Sequence, residues 1–423
     1  MNLINLAWKN IVGKPLNTLL TLVLFGLGVG LISLLFLLDN QIQKNFEKNL
    51  AEVDLVIGAK GSPLQMILSS MYHIDAPTGN VNLGSVRPFL NPKHPLIKSA
   101  LPLSMGDSFK GFRIVGTTSD IKDWYSIEVQ SGTWYKTDFE VVIGASVAKK
   151  LQLELGASFK SSHGLADDEG LEHDDAESFR VVGILEPSGT VMDQLILTTP
   201  QTYWHIHNHE ASTNTEEGDD NGHDHHAGHD HSTLSSLAES SEEKEITNVL
   251  LRFKGRNFQA LNMQRNINEN TDLQAATPAI EINRLFAMMN DAERALRILA
   301  IVIILVSGLS IFISLFSSLK ERKYELSLIR VMGGTKKTLF SLLIIEGLIL
   351  AIIGFILGMI LSHLGMEIIG AVANEDYRYD FSGGIFLQKE LYILIGALIL
   401  GFVASLIPAI QASTTDISDT LSK

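Results

Sequence analysis

The 423 residues contain no cysteine, so no disulfide framework staples this chain and no thiolate is available for catalysis or metal binding. Charge is also scarce, at 19% of residues, and unevenly placed. No charged residue occurs between Lys14 and Asp39, between Arg297 and Lys320, or between Glu390 and Asp416. No nucleotide-binding loop is present either: GAKGS at 58–62 and GGTKKT at 333–338 lack the Gly-x-x-x-x-Gly-Lys-Ser/Thr spacing that lets successive amides surround a phosphate. Neither a Ser/His/Asp arrangement nor a pair of catalytic carboxylates can be read, so the chain is not expected to be an enzyme. A formal net charge of −14 argues against nucleic acid as a partner.

What is there begins with those charge-free runs. Each exceeds the roughly 20 apolar residues that a bilayer-spanning helix requires. A fourth run, Leu339 to Leu364, is interrupted only by Glu346 and His363. Soluble helices seldom go so far without a charge on the solvent face, which predicts four membrane spans. The first run is too long for the apolar core of a signal peptide and is closed by no small-residue cleavage site. It leads into DNQIQKNFEKNL, where Ile42, Phe46 and Leu50 recur every fourth residue, predicting a helix that leaves the membrane as a stalk. A second stalk is predicted before the second run, with Ile282, Leu285, Phe286, Met289 and Leu296 on one face.

Basic residues near the spans orient the chain. Lys9 and Lys14 precede the first, and Lys320, Arg322, Lys323, Arg330, Lys336 and Lys337 follow the second. The loop between the third and fourth carries Glu375, Asp376 and Asp380 against Arg378. The excess of Lys and Arg places both termini and the 320–337 loop in the cytoplasm. The expected organisation is an N-terminal interfacial helix at 1–15, spans at 16–38, 295–319, 338–365 and 389–412, a cytoplasmic loop at 320–337, a short external loop at 366–388 and a cytoplasmic tail at 413–423. Residues 39–294 form a large external α+β domain between the first two spans, because β-branched stretches such as FEVVIG, FRVVGIL and ITNVLLRF alternate with short helical ones.

Three local features bear on function. In the 320–337 loop a basic amphipathic helix, Lys320 to Met332, presents Tyr324, Leu328 and Val331 on one side, and Gly333–Gly334 permits the reversal that ends it. Gly26 and Gly30, like Gly354 and Gly358, have the small-xxx-small spacing that lets helices approach closely. Glu346 is an acidic residue inside a span; it reads as a buried hydrogen bond to a neighbouring helix, with ion coupling as the other reading.

Within the external domain, VDLVIGAKGSPLQMILSSMYHIDAPTGNV predicts a strand, a turn, an apolar helix and a loop carrying His73 and Asp75. His73 reads as a hydrogen-bonded loop histidine, with a metal or substrate contact as the alternative. The run Met66 to Met71 is a further candidate in this stretch, as a surface turned to the membrane or a partner, and the residues alone leave these readings open. The segment HIHNHEASTNTEEGDDNGHDHHAGHDHS holds 8 of the 13 histidines: His205, His207, His209, His223, His225, His226, His229 and His231. It has almost no large apolar residues, so a mobile insertion over about 205–245 is expected. Neutral imidazole is a good ligand for zinc, copper and nickel, so these eight are the candidate metal ligands, zinc foremost, with an inert solvated linker as the other reading.

Several segments together resemble the permease subunits of ATP-binding-cassette systems of the MacB/FtsX/LolC type. Leu6 to Val12 is similar to the wording that leads into the family's first span. Val141 to Leu151 and Phe179 to Asp193 are similar to two units of its external domain. Glu325, Leu328, Arg330, Gly333 and Gly334 match its loop after the second span, and Pro408, Ala409, Ala412 and Leu421 its C-terminus. The resemblance implies a non-catalytic subunit of the inner membrane, dimeric with itself or a related permease. A separate MacB-, LolD- or FtsE-like ATPase would carry ATP and Mg²⁺, while this chain carries no cofactor unless the histidines hold zinc. It also implies that Tyr324, Glu325, Leu328, Ile329, Arg330, Gly333 and Gly334 dock in that ATPase, whose hydrolysis moves the external domain to export or release a substrate. A periplasmic adaptor would accompany export; the alternatives are FtsX-like activation of an external partner such as a hydrolase, LolC/E-like lipoprotein release, and metal handling with a periplasmic metal-binding protein.

Overall fold

The computed structural model describes residues 3–160, 162–163, 178–212, 230–238, 240–255, 257–376 and 381–414. They form two compact units, Met1–Lys44 with Met289–Lys423, and Asn45–Met288. Among the described residues four helices are long and apolar enough to cross a membrane, and between the first and second of them in the chain lies a large α+β domain.

The first unit begins with a short helix, α1 (Leu3–Val12), whose Ala7 and Ile11 are buried while Ile4, Trp8 and Val12 are exposed. Pro15 then opens α2 (Pro15–Lys48), at a helix N-terminus where a missing N–H breaks no intrahelical bond.

The second unit is built on an 11-stranded mixed sheet. In chain order its elements are β1 (Leu55–Ala59), α3 (Pro63–Met71), β2 (Val81–Asn82), α4 (Leu83–Leu90), β3 (Ile97–Phe109), β4 (Phe112–Thr117), α5 (Ile121–Tyr125), β5 (Val129–Gly132), β6 (Glu140–Ile143), α6 (Ala145–Leu151), β7 (Ser158–Phe159), β8 (Ser162–His163) and β9 (Phe179–Leu185). There follow β10 (Ile196–Thr198), α7 (Pro200–Ser212), α8 (Leu234–Ala238), β11 (Glu245–Ile246), β12 (Asn248–Phe253), α9 (Phe258–Asn270) and β13 (Leu273–Ala276). The sheet runs β13-β1-β12-β3-β4-β10-β6-β9-β5, with β7 on β9 and β8 on β3; β2 and β11 pair separately.

Alternation in FRVVGIL buries Phe179 and Val181 in one core with Val141 and Ile143, and a register shift against β6 between Val181 and Gly183 then places Leu185 in the other core, with Val142. Although β9 and β10 are consecutive strands around the Pro187–Gly189 turn, they do not pair. β6 lies between them, parallel to β9 and antiparallel to β10. Asp193 explains the turn: Oδ1 accepts from the Ser188 amide and hydroxyl, both at 2.8 Å, and Oδ2 from the Gly189 amide at 2.8 Å. At the end of β6, a Cβ on Gly144 would lie 2.3 Å from the Asp193 backbone, so only glycine lets that strand pass the turn.

Two expectations for this unit are corrected. Met66, Ile67 and Met71 do not face a membrane or partner; they are fully buried, because α3 packs under β1 and β13 and its apolar side becomes core. The insertion expected over 205–245 is structured at both ends. α7 continues through His205 to Ser212, α8 follows at Leu234, and β11 begins at Glu245. The helix persists because Trp204 is anchored: it is buried, and its indole N–H donates to Glu245 O at 2.5 Å.

The chain returns to the first unit through α10 (Pro278–Glu321), then α11 (Lys323–Val331), α12 (Lys336–Asp376) and α13 (Gln388–Thr414). Glycines set the packing of α2 against α12. A Cβ on Gly30 would meet Gly358 O at 3.0 Å, and one on Gly358 would sit 2.8 Å from Gly26 O. The backbones therefore touch, as the small-xxx-small spacing predicts. Ser307 on α10 donates to Leu24 O at 3.0 Å, joining α10 to α2.

Candidate functional site: the α11 face and the stalk bases

The helix expected over Lys320 to Met332 is two helices. α10 ends at Glu321, Arg322 departs from helical geometry, and α11 starts afresh at Lys323. At this break Arg322 reaches three side chains. Its Nη2 donates to Asn10 Oδ1 at 2.5 Å, its Nη1 lies 3.6 Å from Glu346 Oε1, and its Nε donates to Glu325 Oε2 at 2.9 Å. Glu346 in turn accepts from the Asn10 side-chain amide. The carboxylate read inside a span is thus hydrogen-bonded to α1 and is 2% exposed.

α11 has two unlike sides. Leu326 and Ser327 are buried and Ile329 packs on the helical core of the unit. Tyr324, Leu328, Val331 and Met332 are 62%, 45%, 60% and 69% exposed, a run of large apolar side chains presented outward with the charged Glu325. Gly333, at φ +99°, takes the left-handed conformation that terminates the helix, and the Gly334 amide closes the end on Ile329 O at 2.9 Å. The expected docking residues therefore divide: Tyr324, Glu325 and Leu328 face out, Ile329 and Arg330 are half-buried, and Gly333 and Gly334 make the cap.

A second cluster, missed in the sequence, surrounds the residues next to the long helices within the α+β unit. The Phe46 ring packs 4.7 Å from Tyr72 and 5.4 Å from Phe286, centroid to centroid, and the Tyr72 hydroxyl donates to Phe46 O at 3.1 Å. Asn49 Oδ1 accepts from the Val191 amide at 2.8 Å, tying the end of α2 to the Asp193 turn. Ala51 and Glu52, at φ 45° and 54°, are both left-handed, which non-glycine residues adopt rarely. Arg252 holds this bend, donating from Nη2 to Ala51 O at 2.6 Å and to Trp124 O at 3.0 Å. The signal was present in the i, i+4 recurrence of Ile42, Phe46 and Leu50, but its partner Tyr72 could not be inferred from spacing.

Of the eight candidate metal ligands, two can be placed with their side chains. His231 Nδ1 is 2.9 Å from Asp138 Oδ1 and His205 Nε2 is 3.7 Å from Asp138 Oδ2. Asp138 also accepts from the Thr199 hydroxyl at 2.8 Å. His207 and His209 lie on α7, and His223, His225, His226 and His229 fall outside the described residues. Among the described residues no three metal-ligating side chains group as a site. His73 also departs from expectation: its Nδ1 is sealed from solvent without a hydrogen-bond partner among the described residues, and neighbouring Arg113 Nη1 is likewise unpartnered. Burial, then the Arg113 charge, pushes the His73 pKa down from 6.5 to about 3.

Family comparisons fall on both units. The model for the MacB-like periplasmic core domain matches residues 18–242, and the FtsX-like permease C-terminal model matches residues 297–417. The chain belongs to the MacB/FtsX family of ABC-transporter permeases. Among solved structures, the periplasmic region of MacB from Actinobacillus actinomycetemcomitans is 10% identical, covering 58% of this chain and 97% of its own at a TM-score of 0.33. The extracellular domain of the ABC-type transporter YknZ from Gram-positive bacteria is 13% identical, covering 53% and 99% at a TM-score of 0.29. A domain of a putative permease from Porphyromonas gingivalis is 11% identical, covering 53% and 86% at 0.24. No curated protein matches the chain. Four apolar helices in a permease of this family make it an integral membrane protein.

Proposed function

We propose that this permease transmits the work of a separate ABC ATPase to its α+β domain, acting by mechanical transmission from the inner membrane rather than by catalysis of its own. The observation that carries the reading is helix continuity. α2 and α10, at 34 and 44 residues, are about 51 and 66 Å long at 1.5 Å per residue, well beyond a hydrocarbon core of about 30 Å. Each therefore has length left over to act as a stalk. At the far end of α2, Phe46 and Asn49 are bonded into the domain core, so displacement of that helix is passed on instead of being absorbed.

α11 is the proposed ATPase contact, because its exposed Tyr324, Leu328, Val331 and Met332 form an unpartnered apolar face on a basic segment. A groove on a cytoplasmic partner covers such a face at a gain of about 25 cal/mol per Å². The test is Leu328→Asp, which places an unpaired charge in the contact. Co-purification of the ATPase from membranes should fall by two orders of magnitude or more, on the scale of about 3 kcal/mol for a buried unpaired charge. Normal co-purification would remove α11 from the interface. Assembly as a dimer, with itself or a related permease, gives each ATPase of a pair its own α11.

A second reading concerns the cargo and rests on Asp138. His205 and His231, the outermost histidines of the rich segment, converge on this one carboxylate, so the segment leaves and rejoins the fold at a shared ligand-type group. The proposal is that the eight histidines capture zinc or a similar ion beside the domain, with Asp138 lowering the entropy of closing the loop.

A further inference from the structure

We propose that Asn10, Arg322 and Glu346 form a clasp that makes α1 part of the coupling apparatus, so that α1, α11 and the turn of α12 that carries Glu346 move as one body at the break after α10. The inference rests on the reading that α11 meets the ATPase, and adds the element through which its position is set.

A carboxylate 2% exposed on an apolar helix, such as Glu346, is costly unless its oxygens are engaged, and here both engaging side chains come from outside α12. Asn10 of α1 supplies an amide N–H, while Arg322, at the break between α10 and α11, supplies a guanidinium. The same Asn10 closes the triangle by accepting from Arg322 Nη2 at 2.5 Å. Each member therefore engages the other two, and removing any one leaves the remaining pair each short of one polar contact. Arg322 reaches one step further, to Glu325 in the first turn of α11, and Lys14 pairs with Glu321 on the other side of the break.

The geometry has a mechanical consequence. Where α10 gives way to α11 the backbone is not helical, and without the clasp this point would be a free hinge. A push on α11 would then be lost in bending there. With the clasp, the push reaches α12 through Glu346 and α1 through Asn10. α1 is itself seated by Ala7 and Ile11, which are buried in the same helical core as Leu326 and Leu339.

Because the chain lacks cysteine, paired spin labels can be placed without background. Cysteines at Asn5 on α1 and Lys323 on α11, both exposed, report their separation in the full chain with its ATPase. The clasp requires one narrow distance distribution, unchanged between nucleotide-free and ATP-trapped states. Asn10→Ala and Glu346→Ala should broaden it and reduce the permease-dependent change in ATP hydrolysis about tenfold, while the ATPase still co-purifies. Glu346→Gln, which keeps an acceptor for Asn10 but not the charge facing Arg322, should fall between. Should Glu346→Ala fail to accumulate in the membrane, Asn10→Ala and Glu346→Gln carry the test. Narrow distributions and unimpaired hydrolysis in the alanine variants would overturn the clasp. Failure of the docking reading looks different: Leu328→Asp would then co-purify normally while the label distances still report on the clasp.

Discussion

His73 predicts how the α+β domain responds to acid. Its folded pKa is about 3, pushed down by burial and by Arg113, against 6.5 for an unfolded chain. The folded protein thus holds this ring neutral, and the unfolded chain binds the extra proton below about pH 6.5. Stability from this group is complete above that value and is lost as pH falls from 6.5 toward 3. Between pH 7.5 and 5.5 the loss from a single group with this shift is about 1.4 kcal/mol, since the unfolded chain gains a factor of about ten in protonated states at pH 5.5. His94, lowered by burial and by Lys254, adds in the same direction. Asp230, lowered chiefly by its hydrogen bond from Ser232, loses stability only below the carboxylate range and does not enter this window.

The assay is hydrogen exchange of the amides of α3 and β1 in the full chain, compared at the two pH values after correction for intrinsic exchange. His73→Asn keeps a residue that tolerates the left-handed φ of 53° while removing the titrating ring. Wild-type protection should drop about tenfold on acidification beyond what the variant shows. Equal pH dependence in wild type and His73→Asn would refute the argument, and would mean that the ring protonates in place or reaches solvent.

Three other outcomes are expected. A cysteine at Ser212 should react with a membrane-impermeant maleimide in spheroplasts while one at Thr335 stays protected; the reverse pattern inverts the proposed topology. Gly358→Leu would drive a side chain into Val29, whose Cγ1 lies 2.7 Å from the position of the first added carbon, and should cost about 1–3 kcal/mol, read as a lower detergent melting temperature than for Gly396→Leu, where nothing lies within 4 Å. The full chain should bind Zn²⁺ at pH 7.5 and weakly at pH 5.5, with most uptake lost on deleting 207–229; equal uptake by calorimetry with and without the segment would end the metal reading.

Sequence periodicity made some of this visible and left the rest hidden for definable reasons. The four apolar helices follow from composition, because a bilayer tolerates few charges and a run without them is a one-dimensional signal. The alternation in FRVVGIL is equally local. Contacts between distant positions leave no such trace: Asn10 and Glu346 are 336 residues apart, and nothing in LAWKNIV marks Asn10 as a partner for an intramembrane acid. β9 and β10 follow one another around the Pro187–Gly189 turn, yet β6 lies between them, and a Cβ on Gly144 would meet the Asp193 backbone as that strand passes the turn. The Met66–Met71 run shows the limit most plainly. Apolar residues on a short helix have the same pattern whether a sheet or a partner covers them, and only the placement of β1 and β13 decides.

The strained residues are where the transmission proposal is most exposed to physical objection. Ala51 and Glu52 both sit at positive φ immediately after α2, and two such residues cost about 1–3 kcal/mol each unless neighbours hold them. Arg252 supplies that hold through three hydrogen bonds to backbone oxygens, with its guanidinium 4.3 Å above the Trp124 ring. On the transmission proposal, a bend held by Arg252 of β12 would pass displacement of the end of α2 to the sheet, where a loose linker would not. Ala51 and Glu52 thus sit in the short link, Asn49 to Asp54, between Phe46, packed on the core, and Leu55 in the sheet.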